Sequence, residues 1–431
     1  MNAKTLTYLA GAAIVALAAA IAINVSRRPE SEANEKPKAL LPELHDHVND
    51  VNQITLTGAE GKTLATLKRT GDAWNVVEKA NYPADLAKIR EFLIKLDQAT
   101  ILEQKTSNPK LYAELGVDDV KDKDAKGVLV ELAGLPQPVK LIVGNYNGAG
   151  GGGTFVRRDG DAQSWLAKGN IAVAKNTADW EMRDLADIPS NRLKSVTLTN
   201  PDGKTLAAAK EQPGDANFKV ADVPKGREVS SEFAANGLAS TLAGLKADDV
   251  FPAKDMPPPD KVYKAQYAAF DGLVIDVTAW DKDGKDYAEL AARLDTAAAN
   301  AQIDKDQAKA KADYDAAVDA ANKKLAEEKS TSGPEAQANA KAASQTEIAK
   351  PLAVSDPAKD RRDKLDALNK EVETLNKTFS GWTFVLPGYK FSNINKTMDD
   401  MLKPVETKKP DAAKEAKPAA KTPPKPAAKG A

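Results

Sequence analysis

Apolar and polar positions alternate through two stretches of the chain that copy one another. Residues 51–64 read Val-Asn-Gln-Ile-Thr-Leu-Thr-Gly-Ala-Glu-Gly-Lys-Thr-Leu, and residues 193–206 read Leu-Lys-Ser-Val-Thr-Leu-Thr-Asn-Pro-Asp-Gly-Lys-Thr-Leu. Period-two alternation around Glu60-Gly61 and Asp202-Gly203 predicts two strands joined by a tight turn, because an acidic-Gly pair accepts hairpin geometry. Trp74 in the first copy and Phe218 in the second open the next strand.

The period then changes to that of a helix in both copies. In the first, Pro83 stands in the first turn and Leu86, Ile89, Leu93 and Leu96 fall on one face. In the second, Ser230 or Ser231 supplies a cap and Ala235, Leu238, Leu242 and Leu245 hold the same positions. An apolar pair follows each helix, Ile101-Leu102 and Val250-Phe251, and the strand-like 127–132 matches 272–277. The first copy continues through 139–143, a glycine-rich loop, a strand at 154–158 and a closing segment at 180–185. In the second copy, after the strand-like 287–290, an Ala-, Lys-, Asp- and Glu-rich stretch delays the ending at 381–386 and 398–402.

This pattern predicts an α+β body of two tandem copies of a strand-hairpin, helix and strand unit. The first repeat spans 51–190 and the second 191–402, with a helical insertion at 296–378. One arm of the insertion carries a thin stripe of Ala310, Tyr314, Ala317, Ala321 and Leu325. The other carries a stronger one of Leu365, Leu368, Val372, Leu375 and Phe379. Short arms and an Ala-rich first seam favour an antiparallel helical hairpin over an intermolecular coiled coil.

The ends differ from the body. Residues 6–25 carry no charge and are long enough to cross a hydrocarbon core of about 30 Å as a helix. They read as an uncleaved transmembrane anchor within residues 1–28. A signal peptide cut after Ala18-Ala19-Ala20 or Ala20-Ile21-Ala22 is the alternative, disfavoured because the apolar run exceeds the usual h-region. Lys4 on one side and Arg27 and Arg28 on the other leave orientation open. Residues 29–50 read as a solvated linker. Residues 403–431, with eight Lys among Pro and Ala, read as a disordered tail.

Composition narrows the chemistry. With 61 Lys plus Arg against 62 Asp plus Glu, the net charge of -1 provides no field that would draw nucleic acid. The absence of Cys removes disulfides, thiolate chemistry and Cys-ligated zinc. The two histidines, His45 and His47, form a His-x-His with no further His or Cys to complete a metal site, and a catalytic triad has only them to draw on. The glycine-rich loop at 145–154 lacks the Gly-Lys-Ser/Thr and following helix of a P-loop and reads as a hairpin loop. Asp118-Asp119 and Asp399-Asp400 are adjacent rather than convergent, and the loop from Asp281 to Asp286 lacks the final Glu of a calcium site. No catalytic, cofactor-binding or metal-binding residue is assigned, and no cofactor is expected.

Trp74, Asn81-Tyr-Pro-Ala-Asp85, Leu111-Tyr-Ala-Glu-Leu-Gly-Val-Asp118, the 139–144 strand, Gly381-Trp-Thr-Phe and Met398-Asp-Asp-Met-Leu resemble the domain of unknown function 4340 family. The resemblance implies a bacterial protein with one N-terminal inner-membrane segment, a periplasmic body and no assigned activity. It also implies gene proximity to ABC transporter components similar to those of gliding motility. The long helical insertion and the Lys/Pro tail depart from simpler members. The expected function is non-enzymatic binding or scaffolding beside ABC-type permease or ATPase subunits. One alternative is an envelope module contacting cell-wall or other anionic polymer through 403–431, and another is an enzyme with an unrecognised carboxylate site.

Overall fold

The structure is a computed structural model that describes residues 37–331 and 348–403. The membrane segment expected at 6–25, residues 332–347 of the expected insertion and the tail from 404 onward lie outside the described residues, as does the side chain of Leu325. The chain divides into two compact units. The first runs to Asp184 and includes Lys246–Pro257 and Gly381–Leu386; the second holds Leu185–Leu245, Pro258–Ser380 and the chain from Pro387. The architecture is mixed α/β with large antiparallel sheets. Among the described residues no helix is long and apolar enough to cross a membrane.

In the first unit the strands are β1 (Gln53–Thr57), β2 (Thr63–Thr70), β3 (Ala73–Val76), β4 (Tyr82–Pro83), β5 (Ile101–Gln104), β6 (Val128–Ala133), β7 (Val139–Asn147), β8 (Gly153–Arg158) and β9 (Ser164–Lys168). Helix α1 (Leu86–Asp97) follows β4 and α2 (Tyr112–Leu115) follows β5. All nine strands form one antiparallel sheet in the order β4-β3-β2-β1-β6-β7-β8-β9-β5. Alternation sets its faces: Ile54 and Leu56 of β1, Leu67 of β2 and Val128, Val130 and Leu132 of β6 join one core with Ile89, Phe92, Leu93 and Leu96 of α1. Leu129 and Ile142 point to the other face and pack with Tyr112, Val117 and Val120. The glycine-rich stretch is a short turn from β7 directly into β8.

Two local expectations change. Pro83 lies in β4, paired with Asn75, and the cap of α1 is Asp85, whose carboxylate accepts from the Lys88 N–H at 3.0 Å. A carboxylate offers the orphan amides of a first turn an acceptor that Pro cannot. The second half of the supposed linker is core: Leu41 and Leu44 are fully buried and Leu40 nearly so. Leu40 donates its N–H to the Ala99 carbonyl at 2.8 Å, and Arg158 grips Glu43 with both arms at 2.5 and 3.1 Å. Three leucines scattered among charged residues have no periodicity to reveal them, so only packing places them.

Beyond these, the strands are β10 (Asp184–Ala186), β11 (Leu193–Thr199), β12 (Thr205–Ala209), β13 (Lys219–Val220), β14 (Leu245–Lys246), β15 (Asp249–Pro252), β16 (Tyr263–Ala269), β17 (Leu273–Lys282), β18 (Lys285–Leu294) and β19 (Trp382–Leu386). In the second unit the order is β13-β12-β11-β16-β17-β18, the same succession as β3-β2-β1-β6-β7-β8. The pair β15–β19, counted in the first unit, is antiparallel, as β5–β9 is. Residues 127–132 and 272–277, which look alike in sequence, occupy different places: β6 lies beside β1, whereas β17 is separated from β11 by β16. The long β17–β18 hairpin turns on Asp283 and Gly284 at φ 51° and 75°, the left-handed pair that matches strand twist.

The helix expected from Ala235 to Leu245 shrinks to α3 (Asn236–Ala239). Ser240 and Thr241 turn their hydroxyls onto the carbonyls of Gly237 and Leu238, and Gly244 takes φ 54°, so the backbone leaves the helix after one turn. Neither Ser230 nor Ser231 caps it; the N-cap is Ala235. Leu238, Leu242 and Leu245 are buried all the same.

Between β18 and β19 lie α4 (Thr296–Thr331), α5 (Leu352–Ser355) and α6 (Pro357–Phe379), and α7 (Gly388–Ile394) and α8 (Met398–Met401) follow β19. Arg361 reaches Asn300 and Asp304, and Gln307 reaches Asp360 and the Pro357 carbonyl, so α4 and α6 run antiparallel. Leu365, Leu368, Val372 and Leu375 are half-buried and Phe379 is fully buried. On α4 the covered stripe takes Val318 in place of Ala317, which is exposed. Asn376 seals α6 to the sheet by pairing its amide with both backbone groups of Ala292.

Leu41→Ala tests whether 37–50 belongs to the fold. It should cost about 2–5 kcal/mol, the range for a buried leucine, measured by chemical denaturation; a loss within about 0.5 kcal/mol, as at an exposed position, would return the segment to a linker.

Candidate functional site

The residues singled out in the sequence do not converge. His45 pairs with Asp97 at 3.0 Å and His47 with Asp50 at 2.7 Å. Asp400 closes a capping box with Thr397, and Asp399 pairs with Arg227 at 3.2 Å. Asp281 and Asp286 face each other across the β17–β18 hairpin. Among the described residues no three His, Asp or Glu side chains are grouped to hold a metal ion.

A different cluster, absent from the sequence reading, forms in the first unit. After β3, residues Val77–Lys79 make one tight turn, and Ala80 and Asn81 follow at φ 51° and 62°. The left-handed region costs an ordinary residue roughly 1–2 kcal/mol, and Asn tolerates it better than Ala. This turn carries the chain into Tyr82, whose ring meets Trp382 edge-on at 4.8 Å and whose hydroxyl donates to the Met182 carbonyl at 3.0 Å. Ala84 bridges to Glu181, bringing that carboxylate beside the turn.

Lys79 is the centre. Its ammonium donates to Oδ1 of Asp249 and, at 3.4 Å, to the Val250 carbonyl, and lies 5.0 Å from the centre of the Phe251 ring. Glu181 Oε1 is 3.2 Å away, within ion-pair distance, yet receives no well-directed hydrogen bond. Glu181 is only 2% exposed. Burial pushes its carboxyl up to about 6, the Lys79 charge opposing this and the Asp249 charge adding to it. Burial, then the Glu181 charge, also raises the Tyr82 phenol.

A cleft of about 350 Å³ opens beside the cluster, with Lys62, Lys175 and Thr177 on its wall together with Lys79 and Asp249. Lys175 is anchored by donating to the Lys126 carbonyl at 2.6 Å. Glu181 is not on this wall, so the group with the displaced pKa lies behind the residues a solute would meet. One lysine shared by two carboxylates leaves the trio one negative charge in excess when all are ionised. Burial and this excess charge both favour the protonated form of Glu181.

Nothing in the local sequence marks this trio, because Lys79 and Asp249 are 170 positions apart. The one legible hint is Ala80-Asn81-Tyr82-Pro83, a turn with strained backbone ahead of an edge strand.

The chain is thus a two-unit antiparallel α/β protein whose strand orders run in parallel. Residues 74–265 match the family model described as Domain of unknown function (DUF4340), so the resemblance drawn from Trp74, Asn81-Tyr-Pro-Ala-Asp85 and their neighbours holds over that span. Lys79, Glu181 and Asp249 all fall inside it. No curated protein and no solved structure matches the chain.

The raised carboxyl of Glu181 sets a stability profile. Between pH 4.5 and about 6 the folded state keeps a proton that the unfolded chain releases. Stability therefore falls as pH rises through that window, by roughly 2 kcal/mol. Denaturation midpoints followed from pH 4 to 7.5 should show this slope in the wild type and lose it in Glu181→Gln; equal slopes in both would dissociate Glu181 from the effect.

Proposed function

We propose that the chain is a membrane-anchored, extracytoplasmic binding or scaffolding protein of the bacterial envelope, accessory to an ABC-type transport complex. In this reading the body is two tandem copies of one α+β unit, residues 6–25 are a single-pass anchor, and 296–378 is a helical hairpin inserted into the second copy. The matching strand orders β3-β2-β1-β6-β7-β8 and β13-β12-β11-β16-β17-β18 support the duplication.

The observation that carries the function is the length of α4. Its first third is tied to α6 through Asn300, Asp304 and Gln307, and Gln307 is level with the start of α6 at Pro357. Roughly two thirds of α4 continues past that point, about 36 Å of helix. Its next two turns lie beside α5, where Lys311, Tyr314 and Asp315 face Lys350, Ala353 and Val354, and Lys309–Asp313 and Lys311–Asp315 pairs stiffen it. A helix that long adds little to the core of its own unit and offers a rigid rod for a partner to hold.

A photo-crosslinking amino acid at Ala316 or Ala320, both exposed, should yield adducts with permease subunits in cells, identified by mass spectrometry. Adducts with this chain alone would defeat the reading. Topology is tested separately by fusing a reporter active only outside the cytoplasm after residue 36, ahead of the segment that packs into the core. Activity is expected there.

A further inference from the structure

The second sheet ends at an edge that is covered in its counterpart. In the first unit β3 has a neighbour on each side: Val76 pairs with Leu67 of β2 and with Tyr82 of β4. In the second, Val220 of β13 pairs with Ala208 of β12, and β13 closes the sheet. The positions correspond residue by residue, since Ile54, Leu67 and Val76 lie abreast in one sheet and Val196, Ala208 and Val220 in the other. Where β4 stands in the first unit, the second has a groove of about 620 Å³ between residues 215–220 and residues 229–232 with Lys403.

The backbone on that edge is turned for pairing. Ala221 donates its N–H to the Ala207 carbonyl at 2.8 Å. By antiparallel alternation Val220 then directs its own N–H and C=O away from β12. Phe218 is the next outward position, and its N–H is already taken by the Asn236 side chain at 3.0 Å. In the first unit the matching positions are engaged by chain: Val76 by Tyr82, and the Trp74 carbonyl by the Ala84 N–H at 2.8 Å.

The charges on the groove select among ligands. Lys219 is paired with Glu211, Lys403 with Glu228, and Asp215 accepts from the backbone N–H groups of Glu211 and Gln212. Glu232 is the one charged group of the lining without a partner among the described residues. We propose that this edge takes an extended segment of a partner protein by strand addition, its backbone pairing with Val220 and a Lys or Arg side chain meeting Glu232. The proposal is independent of the helical arm and of its partner.

The test uses the full chain in detergent and a fluorescein-labelled peptide, Lys-Thr-Lys-Tyr-Lys-Thr-Lys, followed by fluorescence anisotropy. Saturable binding is expected. N-methylation of alternate peptide amides, which removes backbone donors without changing charge, should weaken it about tenfold. Glu232→Lys should weaken it by a similar factor with an unchanged circular dichroism spectrum, and Glu232→Gln by less. Affinity indifferent to N-methylation or to Glu232→Lys overturns the proposal, as does absence of binding at about 1 mM peptide. Deleting residues 404–431 should leave affinity unchanged; a tenfold gain would identify the chain's own tail as the occupant and overturn the assignment to a partner.

Discussion

Pairing of β1 with β6 is the contact on which the first unit depends. It joins residues about 75 positions apart, with Ile54 opposite Leu132 and Leu56 opposite Val130, and every other strand of the sheet is reached from this pair through successive antiparallel neighbours. The register is enforced by burial. A slip of one residue would carry Ile54 and Leu56 away from α1 and place Thr55 in the core, losing several buried side chains at about 1.5–3 kcal/mol each. The β11–β16 pairing does the same in the second unit, with Val196 opposite Tyr267 and Leu198 opposite Ala265.

Against this apolar framework the Lys79, Glu181 and Asp249 trio is a local cost. A buried carboxylate opposes folding unless it takes up a proton or a countercharge, and Glu181 shares its countercharge, Lys79, with Asp249. The two histidines lie elsewhere, each against a different carboxylate.

The two units share a strand order, β3-β2-β1-β6-β7-β8 and β13-β12-β11-β16-β17-β18. The pairing order survives with quite different side chains, Leu67 replaced by Ala208 and Trp74 by Phe218. The helix does not: α1, with Asp85 as its cap, runs three turns, whereas α3 stops after one because Gly, Ser and Thr interrupt it. The buried leucines keep their places in either case, so burial at these positions requires an apolar side chain more than a particular backbone. Cores tolerate this so long as volume and pattern are kept.

Much of this was legible in the sequence. Strand alternation, the acidic-Gly hairpin turns, the apolar face of α1, the long helices α4 and α6 and the family resemblance over 74–265 all rest on neighbours within a few residues, where periodicity and turn chemistry act. Tertiary structure decided the rest. It put Leu40, Leu41 and Leu44 into the core, moved Pro83 out of the helix, matched β6 with β16 rather than with the similar-looking 272–277, and gathered Lys79 with Glu181 and Asp249. The open edge at Val220 became visible only beside its covered counterpart at Val76. The division has one physical origin: local pattern reports what a segment can form, while burial, shared charge and an unfilled strand position arise from groups far apart in the chain and exist only once the sheets have closed.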